Sequence, residues 1–304
     1  LVGSAPVDST LDRSKVTTST DTLVEPRLAY RIENNEWGYF AELGTTPLGG
    51  EVSARPVGVI GAQWQGDGAN WRIEGYSESV RESILSYTGI VDPFTGKDWG
   101  RVTRSGVRTD GWASLGNDWG VYGQLGLNYL GGENVEDNSS FTGTIGVSKN
   151  LNIAGFEYLS IGPSLNYQAF DKNLSGFTTG HGGYFSPESL IQAMMGMSFL
   201  TETGRSWMTH GFLGVGGQSH DQAAAPVLPY SSKDTRFYDA SSESSVVFTA
   251  RLQSLFELSQ NWRLGTQAGY SKTAGYEDFG MALYFSYLFQ PESGLDLADL
   301  PWIW

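Results

Sequence analysis

The sequence predicts an all-β protein whose strands form an antiparallel β-barrel that crosses a membrane. Residues 279–289 alternate between large apolar side chains and mostly small or polar ones, which is the two-residue period of a strand. Similar alternation recurs along the chain, and strand after strand follows a short polar turn and an aromatic residue. The connections at the other ends of the strands are longer, an asymmetry typical of outer-membrane barrels.

The composition agrees with a secreted bacterial β protein. The chain has 304 residues, with 40 Gly, 15 Tyr, 15 Phe and 10 Trp but no Cys, so its stability does not depend on disulfides. No run approaches the ~18 apolar residues of a membrane-spanning helix. The formal net charge of −14 repels nucleic-acid phosphates and favours a neutral or cationic partner. No signal peptide is visible at Leu1, which indicates a mature chain or the end of a longer precursor.

Three segments are predicted. Residues 1–22 are polar and form a linker or a first weak strand, residues 23–289 form the barrel, and residues 290–304 form a periplasmic or lumenal tail. Thirteen strands can be identified in the barrel segment, and an even strand number requires one more in residues 1–22. Direct counting therefore predicts fourteen strands, whereas sixteen also fit the chain length and are favoured.

An aromatic residue stands just behind each of six short turns and starts its strand on the apolar face. In a membrane barrel these rings would form a girdle at one membrane interface. They are Trp37, Trp71, Trp119, Phe156, Trp207 and Trp262. The longer connections are expected at about 47–52, 80–100, 131–138, 171–189, 218–242 and 272–278.

The polar strand faces decide between a soluble sandwich and a membrane barrel. A sandwich would direct polar residues such as Arg108 and Arg251 to solvent and bury the apolar faces between two sheets. A barrel directs the polar residues into a wet lumen and the apolar faces to lipid. The apolar faces are wide, end in aromatic residues and are alike from strand to strand, which favours the barrel.

Four stretches resemble a known family. They are Leu-Gly-Thr-Thr-Pro-Leu at 43–48, the segment 79–102 with Asp-Pro-Phe-Thr-Gly-Lys-Asp-Trp at 92–99, Gly-Glu-Asn-Val-Glu-Asp-Asn at 132–138, and the segment 171–188 with Gly-His-Gly-Gly-Tyr at 180–184. Over about residues 37–287 the chain resembles the C-terminal barrel of the cellulose synthase protein C family of bacteria, the outer-membrane exporter of cellulose. The resemblance implies a sixteen-stranded barrel preceded by periplasmic tetratricopeptide repeats that reach towards the inner-membrane synthase. This sequence contains no such helical repeat.

The same stretches predict packed loops at the outer mouth. They lie on the long-loop side and contain Gly and Pro turn formers, which favour a defined shape. The loops either fold over the mouth as a gate or only cap the rim of the barrel. The candidate gate residues are Asp92, Pro93, Trp99, Asp171, Asn173, Gly182, Gly183 and Tyr184.

The strand faces assigned to the lumen carry candidate residues for a polysaccharide path. Pyranose rings stack on aromatic side chains, and carboxylates and amides bond sugar hydroxyls. The candidates are Trp64, Tyr76, Trp112, Tyr122, Tyr158, Tyr284, Glu42, Glu74, Asp110 and Gln124. The alternative is that the aromatic rings only fill the interior. Trp302 and Trp304 in the tail are expected to turn back to the barrel entrance, with a disordered tail as the alternative.

These observations predict a channel of the bacterial outer membrane that exports a nascent neutral exopolysaccharide. Its expected partners are a cellulose-like glucan, membrane lipid and, from the resemblance, the inner-membrane synthase, which must supply the driving force. A general diffusion porin, an outer-membrane hydrolase and a soluble binding module are the alternatives. No catalytic, cofactor or metal site is predicted, because His181, His210 and His220 lack ligand spacing and no nucleophile elbow is present.

Overall fold

The alternating segments form one long antiparallel sheet. The computed structural model describes residues 22–34, 36–273, 276–295 and 299. Its elements are β1 (Arg27–Asn34), β2 (Trp37–Thr45), β3 (Pro56–Gly66), β4 (Ala69–Ser79), α1 (Ile84–Tyr87), β5 (Ile90–Val91), β6 (Asp98–Gly116), β7 (Trp119–Glu133), β8 (Val135–Asn150), β9 (Phe156–Phe170), β10 (Ser189–Thr201), β11 (Trp207–Gln222), β12 (Ala225–Pro226), β13 (Phe237–Tyr238), β14 (Ser241–Ser259), β15 (Trp262–Thr273) and β16 (Tyr276–Tyr287).

Sequential strands are neighbours throughout the sheet. Its order is β1-β2-β3-β4-β6-β7-β8-β9-β10-β11-β14-β15-β16, with β5 attached to β6, and β12 and β13 form a separate small sheet. Within the described residues, the thirteen strands on this path are the thirteen expected between residues 23 and 289. The further strand expected in residues 1–22 lies outside the described residues, apart from Thr22.

The apolar faces of the strands point outward. Ile60, Val246 and Met281 are 70%, 71% and 76% exposed, and five of the six turn aromatics are exposed beside them. Large apolar side chains exposed on the same face of strand after strand are unfavourable in water and favourable against hydrocarbon. This apolar outer surface is therefore the face that meets lipid, and the fold is not a soluble sandwich.

The sheet curves round to enclose a lumen. Tyr76 on β4 and Thr273 on β15 line the same cavity although their strands lie far apart along the sheet. The inner faces carry buried polar residues such as Glu74 and Gln218. The fold is thus an antiparallel β-barrel with a polar interior. Among the described residues, no helix has the length and apolarity needed to cross a bilayer.

The two ends of the barrel differ as expected, with two corrections. Short turns join the strands at the inner mouth, which is the end that carries the turn aromatics. At the opposite end, the outer mouth, long connections leave β4, β9 and β11. The connections expected at 131–138 and 272–278 are not loops. Val135 already pairs with Gly132, so β7 and β8 extend almost to a tight turn, and Thr273 on β15 still pairs with Tyr276 on β16.

The predicted inward position of Trp64 is wrong. The register places Trp64 opposite Trp37 on one side and Trp71 on the other, and residues directly opposite in an antiparallel pair share a face. Trp64 therefore lies on the outer face with the girdle, where its indole nitrogen donates to Glu36 at 3.1 Å. The error arises because β3 has apolar residues on both faces, so its alternation is ambiguous.

Candidate functional site: the lumen and its two mouths

A cluster of compensated charges lines one wall of the lumen. The carboxylate of Glu74 is only 2% exposed and accepts hydrogen bonds from Arg72 and Arg108. The Arg72 guanidinium lies over the ring of Phe40 at 4.4 Å, and that of Arg108 over Tyr76 at 4.3 Å. Because each guanidinium has both an anion and an aromatic face as partner, the wall carries charged groups without a strong field of one sign.

Amide side chains line the facing wall. Thr144 donates to Asn166 at 2.8 Å, Asn166 to Gln192 at 3.1 Å, and Gln192 to Gln218 at 3.4 Å. These residues lie on four successive strands, β8 to β11, and the register places Asn166 opposite both Thr144 and Gln192. The side chains therefore form a belt of neutral donors and acceptors around this part of the lumen.

The two walls meet at Asn128. Its amide oxygen accepts a hydrogen bond from the hydroxyl of Tyr76, and its amide nitrogen donates to Ser140 at 3.1 Å. Tyr76, Glu74 and Gln124 thus stand on the inner wall as expected. Gln192 was not predicted because β10 is apolar on both faces and shows little alternation, and Gln218 was not predicted because it fell in the connection expected at 218–242, whereas β11 extends to Gln222.

The remaining predicted path residues lie on the inner face at other heights. Glu42 pairs with Arg27 at 2.6 Å near the outer ends of their strands, and Asp110 stands opposite Arg72 and Gln124. Trp112 and Tyr122 face each other nearer the inner mouth, and Tyr158 and Tyr284 lie at that mouth. Their contact with a polysaccharide stays a prediction.

Packed loops lie at the outer mouth. We call residues 80–97, 171–188 and 223–240 the lid. Its centre is Trp99 at the start of β6, which has no exposed surface and donates from its indole nitrogen to the carbonyl of His181 at 2.8 Å. The ring belongs to a buried cluster of Val80, Leu85, Ile90, Trp99, Val102, Leu130, Val135, Phe170, Leu174 and Tyr184. Strand ends and lid segments therefore share one apolar core.

Polar groups fix the shape of the lid. Asp92 accepts hydrogen bonds from the backbone of Phe94 at 3.0 Å and from Thr95 at 2.7 Å, and Thr179 reaches it from a second lid segment at 3.3 Å. Asn173 donates to the carbonyl of Ala223 in the third segment at 2.8 Å. The segment 171–188 is thus hydrogen-bonded to both of the other lid segments.

The structure brings most of the predicted gate residues together. Tyr184 and Asp92 are buried in the lid, and Trp99 is buried against it at the start of β6. The tight turn there needs Gly183, whose φ is +64°, and a Cβ on Gly182 would collide with the Tyr184 ring. Asp171 is the exception, because it is exposed and accepts from Ser139 at the rim; Pro93 is half-buried.

A buried arginine in the outer mouth was not predicted. Arg101 is fully buried and donates from Nη1 to the hydroxyl of Thr46 and to the carbonyl of Pro47, both at 2.7 Å. Its φ of +46° coincides with an irregular register between Gly100 and Thr103, which turns the side chain towards the β2–β3 loop. In the sequence, this inward position of Arg101 is indicated only by a break in the alternation of apolar and polar residues at the start of β6.

His181 is a buried histidine in the lid. Its Nε2 lies 2.8 Å from the carbonyl oxygen of Pro226, which can only accept, so Nε2 carries a proton. Burial lowers the pKa of His181 from 6.5, against a smaller opposing effect of Glu136. The Tyr238 ring packs edge-on against the imidazole. An open lid, with the imidazole in water, therefore binds a proton more tightly than the closed lid.

We expect the lid to open more often as pH falls from 7.5 through about 6.5 to 5.5. Because pH 5.5 lies only one unit below the reference pKa of 6.5, protonation of His181 can weaken closure by at most about tenfold at the acid end of this range. Burial raises the pKa of Glu82 from 4.5, which has the opposite sign, so lower pH is avoided. Open probability in planar bilayers measures the effect. In His181→Gln, which keeps a donor for Pro226, the response should disappear; an unchanged response would refute this assignment.

The chain turns back over the inner mouth after β16. The backbone of Leu295 pairs with the β10–β11 turn, donating to Arg205 at 3.1 Å and accepting from Gly204 at 2.7 Å. The Leu295 side chain is 1% exposed. It packs with apolar inner-face residues and beside two of the predicted tyrosines: Leu200, Met208, Leu255, Tyr158 and Tyr284. The tail therefore covers an apolar patch of the lumen wall.

Charged groups hold the same part of the tail. Arg263 on the inner face of β15 pairs with Glu292 at 3.1 Å and with Asp299 at 2.5 Å. Glu257 accepts a hydrogen bond from the backbone of Gly294 at 2.8 Å. The return of the tail to the barrel is thus observed for its first residues, while Trp302 and Trp304 lie outside the described residues.

Leu295→Ala should loosen the tail. Burial of a leucine side chain is worth about 1.5–3 kcal/mol, so the released state should become about 10- to 100-fold more populated. Cleavage by a glutamyl endopeptidase at Glu292, followed by intact mass, should accelerate by a similar factor. Ser293→Ala changes an exposed neighbour and should leave the rate unchanged. Equal rates in both variants would show that Leu295 does not anchor the tail.

In the described part of the chain, no three His, Asp or Glu side chains are grouped so that they could hold a metal ion. The lumen offers instead hydrogen-bonding groups and rings. This arrangement can bind and guide a polar chain.

Comparison with known proteins agrees with the fold and the motifs. The model of the family described as "Cellulose synthase operon protein C C-terminus" matches residues 2–290. A cellulose synthase operon protein C from Xanthomonas axonopodis pv. citri (strain 306) is 32% identical over 69% of this chain and 14% of its own length. Cellulose synthase 2 operon protein C from Komagataeibacter xylinus is 31% identical over 80% of this chain and 19% of its own length.

A solved structure confirms the architecture. The chain described as "Bacterial polysaccharide outer membrane secretin" superposes with a TM-score of 0.55 at 10% identity, over 88% of this chain and 80% of that one. At that identity the likeness concerns the fold, which is that of an outer-membrane barrel. The chain spans less than a fifth of the length of the two curated relatives described above. With its family match over nearly all residues, the chain belongs to the family of cellulose synthase operon protein C C-termini.

Proposed function

We propose that the barrel is the outer-membrane conduit through which a neutral, cellulose-like β-glucan leaves the periplasm for the cell surface. The observation that carries this proposal is the pairing of an amide belt with a charge-compensated wall inside the lumen. Sugar hydroxyls donate and accept at once, and amides and ion-paired side chains do the same. A glucan can exchange water for these groups without leaving a charge unpaired.

The wall chemistry favours a neutral polymer over a polyanion. The acidic groups Glu74 and Glu78 are already balanced by arginines, and the net charge of the chain is −14. Each uronate of an anionic chain would meet a surface of its own sign without a dedicated cluster of cations. The amide belt adds hydrogen bonds but no charge. A neutral chain therefore meets the smaller barrier.

The conduit performs no chemistry in this proposal. The barrel offers a path and a lid, while polymer growth in the inner membrane pushes the chain outward. The curated relatives, named as products of cellulose synthase operons, are several times longer than this chain. Coupling to a synthase, through periplasmic segments such as tetratricopeptide repeats, is part of the proposal.

The test locks the lid in cells that secrete the glucan. Asp92 and Thr179 belong to two lid segments, and their side-chain oxygens lie 3.3 Å apart. Because this chain has no cysteine, an Asp92→Cys/Thr179→Cys pair in the full-length protein gives one defined cross-link within the barrel. Thiol-labelling verifies that it has formed. Surface glucan should fall at least tenfold under oxidation and return with reductant, whereas each single variant should export under both conditions.

The alternatives give different results. With a general diffusion porin, surface glucan would be independent of the cross-link and of the barrel gene itself. With an outer-membrane hydrolase, loss of the barrel would lengthen or shorten the secreted chains without trapping them in the periplasm. Undiminished export through a verified cross-link would overturn the proposal.

A further inference from the structure

A chamber lies in the upper half of the lumen, directly beneath the lid. Its volume is about 440 Å³, within the usual range of small-ligand sites. Six amide side chains line it: Gln124, Asn128, Asn166, Gln168, Gln192 and Gln218. The ring of Phe185, a lid residue, completes the lining from above. The chamber is therefore a partly open section of the lumen that is lined by amides and covered by a lid residue.

The amide side chains retain capacity for a ligand. A primary amide has two N–H donors and two oxygen lone pairs. Within the belt, Asn166 and Gln192 each use one donor and one acceptor on their neighbours, which orients them. The second donor and second lone pair of each remain for a molecule in the chamber. Such a row recognises neighbouring hydroxyl groups rather than one charged group.

The opposite side of the chamber supplies oriented ionic groups. Arg104 lies 3.9 Å from Glu78 and 3.5 Å from Glu82, and Arg108 lies 3.7 Å from Glu78. Tyr76 stands among them with its hydroxyl bonded to Asn128. Because each arginine has carboxylate partners, this side can accept and donate hydrogen bonds without selecting a counter-ion. A neutral polyhydroxylated ligand matches both sides.

Phe185 joins two lid segments and packs against a strand of the barrel. The backbone nitrogen of Phe185 donates to Glu82 at 2.6 Å, and its ring packs edge-on against His220 on β11 at 5.2 Å. The ring of Phe185 is the apolar surface that the chamber offers to a pyranose. Contents of the chamber thus touch the closed lid directly.

We propose that this chamber is a binding site for a short segment of neutral β-linked glucan, which it holds under the closed lid. The inference rests on the proposed function and adds to it a defined resting place for the leading end of the polymer. Linear β-linked chains present hydroxyls on both edges and flat C–H faces between them. The chamber offers amides on one side, ion-paired groups on the other and the Phe185 ring above.

Calorimetric titration of the detergent-solubilised full-length protein tests the site. The probes are cellotetraose, isomaltotetraose, which differs in linkage, and tetragalacturonate, which carries charge. Cellotetraose should bind at least about tenfold more tightly than either comparator. Gln192→Leu, which breaks the belt at near-constant volume, should weaken cellotetraose at least about tenfold. Gln63→Leu changes an inner-face glutamine outside the chamber and should stay within twofold of the unmodified protein.

Several results would overturn the inference. One is no binding of cellotetraose either by the unmodified protein or by Trp99→Ala, which should open the lid and leaves the lining residues of the chamber unchanged. Others are equal losses in Gln192→Leu and Gln63→Leu, or tighter binding of tetragalacturonate. Such results combined with cross-link-sensitive export would remove the chamber site and leave the conduit intact. Binding without cross-link-sensitive export would instead remove the conduit.

Discussion

Replacing Trp99 with alanine should open the outer mouth. The Trp99 ring is fully buried between strand ends and lid, and its indole nitrogen donates to His181 in a different segment. Truncation of a buried tryptophan costs about 3–5 kcal/mol. In the open lid the ring would lie in water, so most of this loss falls on the closed state. The closed-to-open ratio should drop by about 100- to 1,000-fold.

Single-channel recording in planar bilayers measures this change. Unmodified barrels should be silent or show rare brief openings, while Trp99→Ala barrels should conduct for most of the record. Cells that carry the variant should also become sensitive to large antibiotics normally excluded by the outer membrane. Phe94→Ala is the matched control, because Phe94 is an exposed aromatic ring of the lid segment that leads into Trp99. Equal conductance in the two variants would show that the buried cluster does not hold the lid shut.

The orientation of the strand faces could be predicted because it depends on local pattern alone. On β16, every second residue from Phe279 to Tyr287 is large and apolar, and the alternation survives any arrangement of neighbouring strands. In a membrane barrel the apolar residues lie outside and the polar residues inside, the reverse of a soluble protein. Aromatic residues at the ends of the apolar face therefore identify that face as the outer one. The prediction failed at Trp64, because β3 carries apolar residues on both faces and its alternation therefore allows either face to be the inner one.

The contacts within the lid could not be predicted in this way. Trp99 and His181 are 82 positions apart, and nothing in either segment specifies the other. The motifs showed that these segments have a defined shape, and turn-forming glycines showed that they bend. That Trp99 becomes the centre of a core depends on which loops meet above the barrel. Contacts between residues so far apart in the sequence are set by tertiary packing, which the periodicity of each segment does not reveal.

The amide belt lies between these two cases. The inward direction of Gln124 and Asn166 follows from alternation on their own strands. Their partners depend on register, since a shift of one residue between β9 and β10 would turn Gln192 to the lipid face and leave Asn166 without its acceptor. Register is set by the whole sheet and by the lengths of its turns. The residues could be nominated from sequence, but the continuous row of donors and acceptors could not.

The strongest test of the barrel itself is an arginine placed on its outer face. Leu252 on β14 is 46% exposed and stands between the small residues Gly211 and Ala268 on the neighbouring strands, so nothing covers it except hydrocarbon. Arginine at the bilayer midplane of a barrel costs about 2–4 kcal/mol. Leu252→Arg should therefore lower the free energy of unfolding in lipid vesicles by that amount, measured from urea titrations that follow the heat-sensitive gel mobility of the folded barrel.

The matched control introduces the same side chain on the inner face of the same strand. Thr249 lies three positions earlier, opposite Gly214 and Ser271, and faces the lumen near Arg251, where a guanidinium is already accommodated. Water in the lumen solvates the added charge, so Thr249→Arg should change the free energy of unfolding by less than about 1 kcal/mol. Equal losses would mean that the two faces meet the same solvent. A larger loss at Thr249 would place the apolar face in the interior, because only then would the inner position be the one that excludes water.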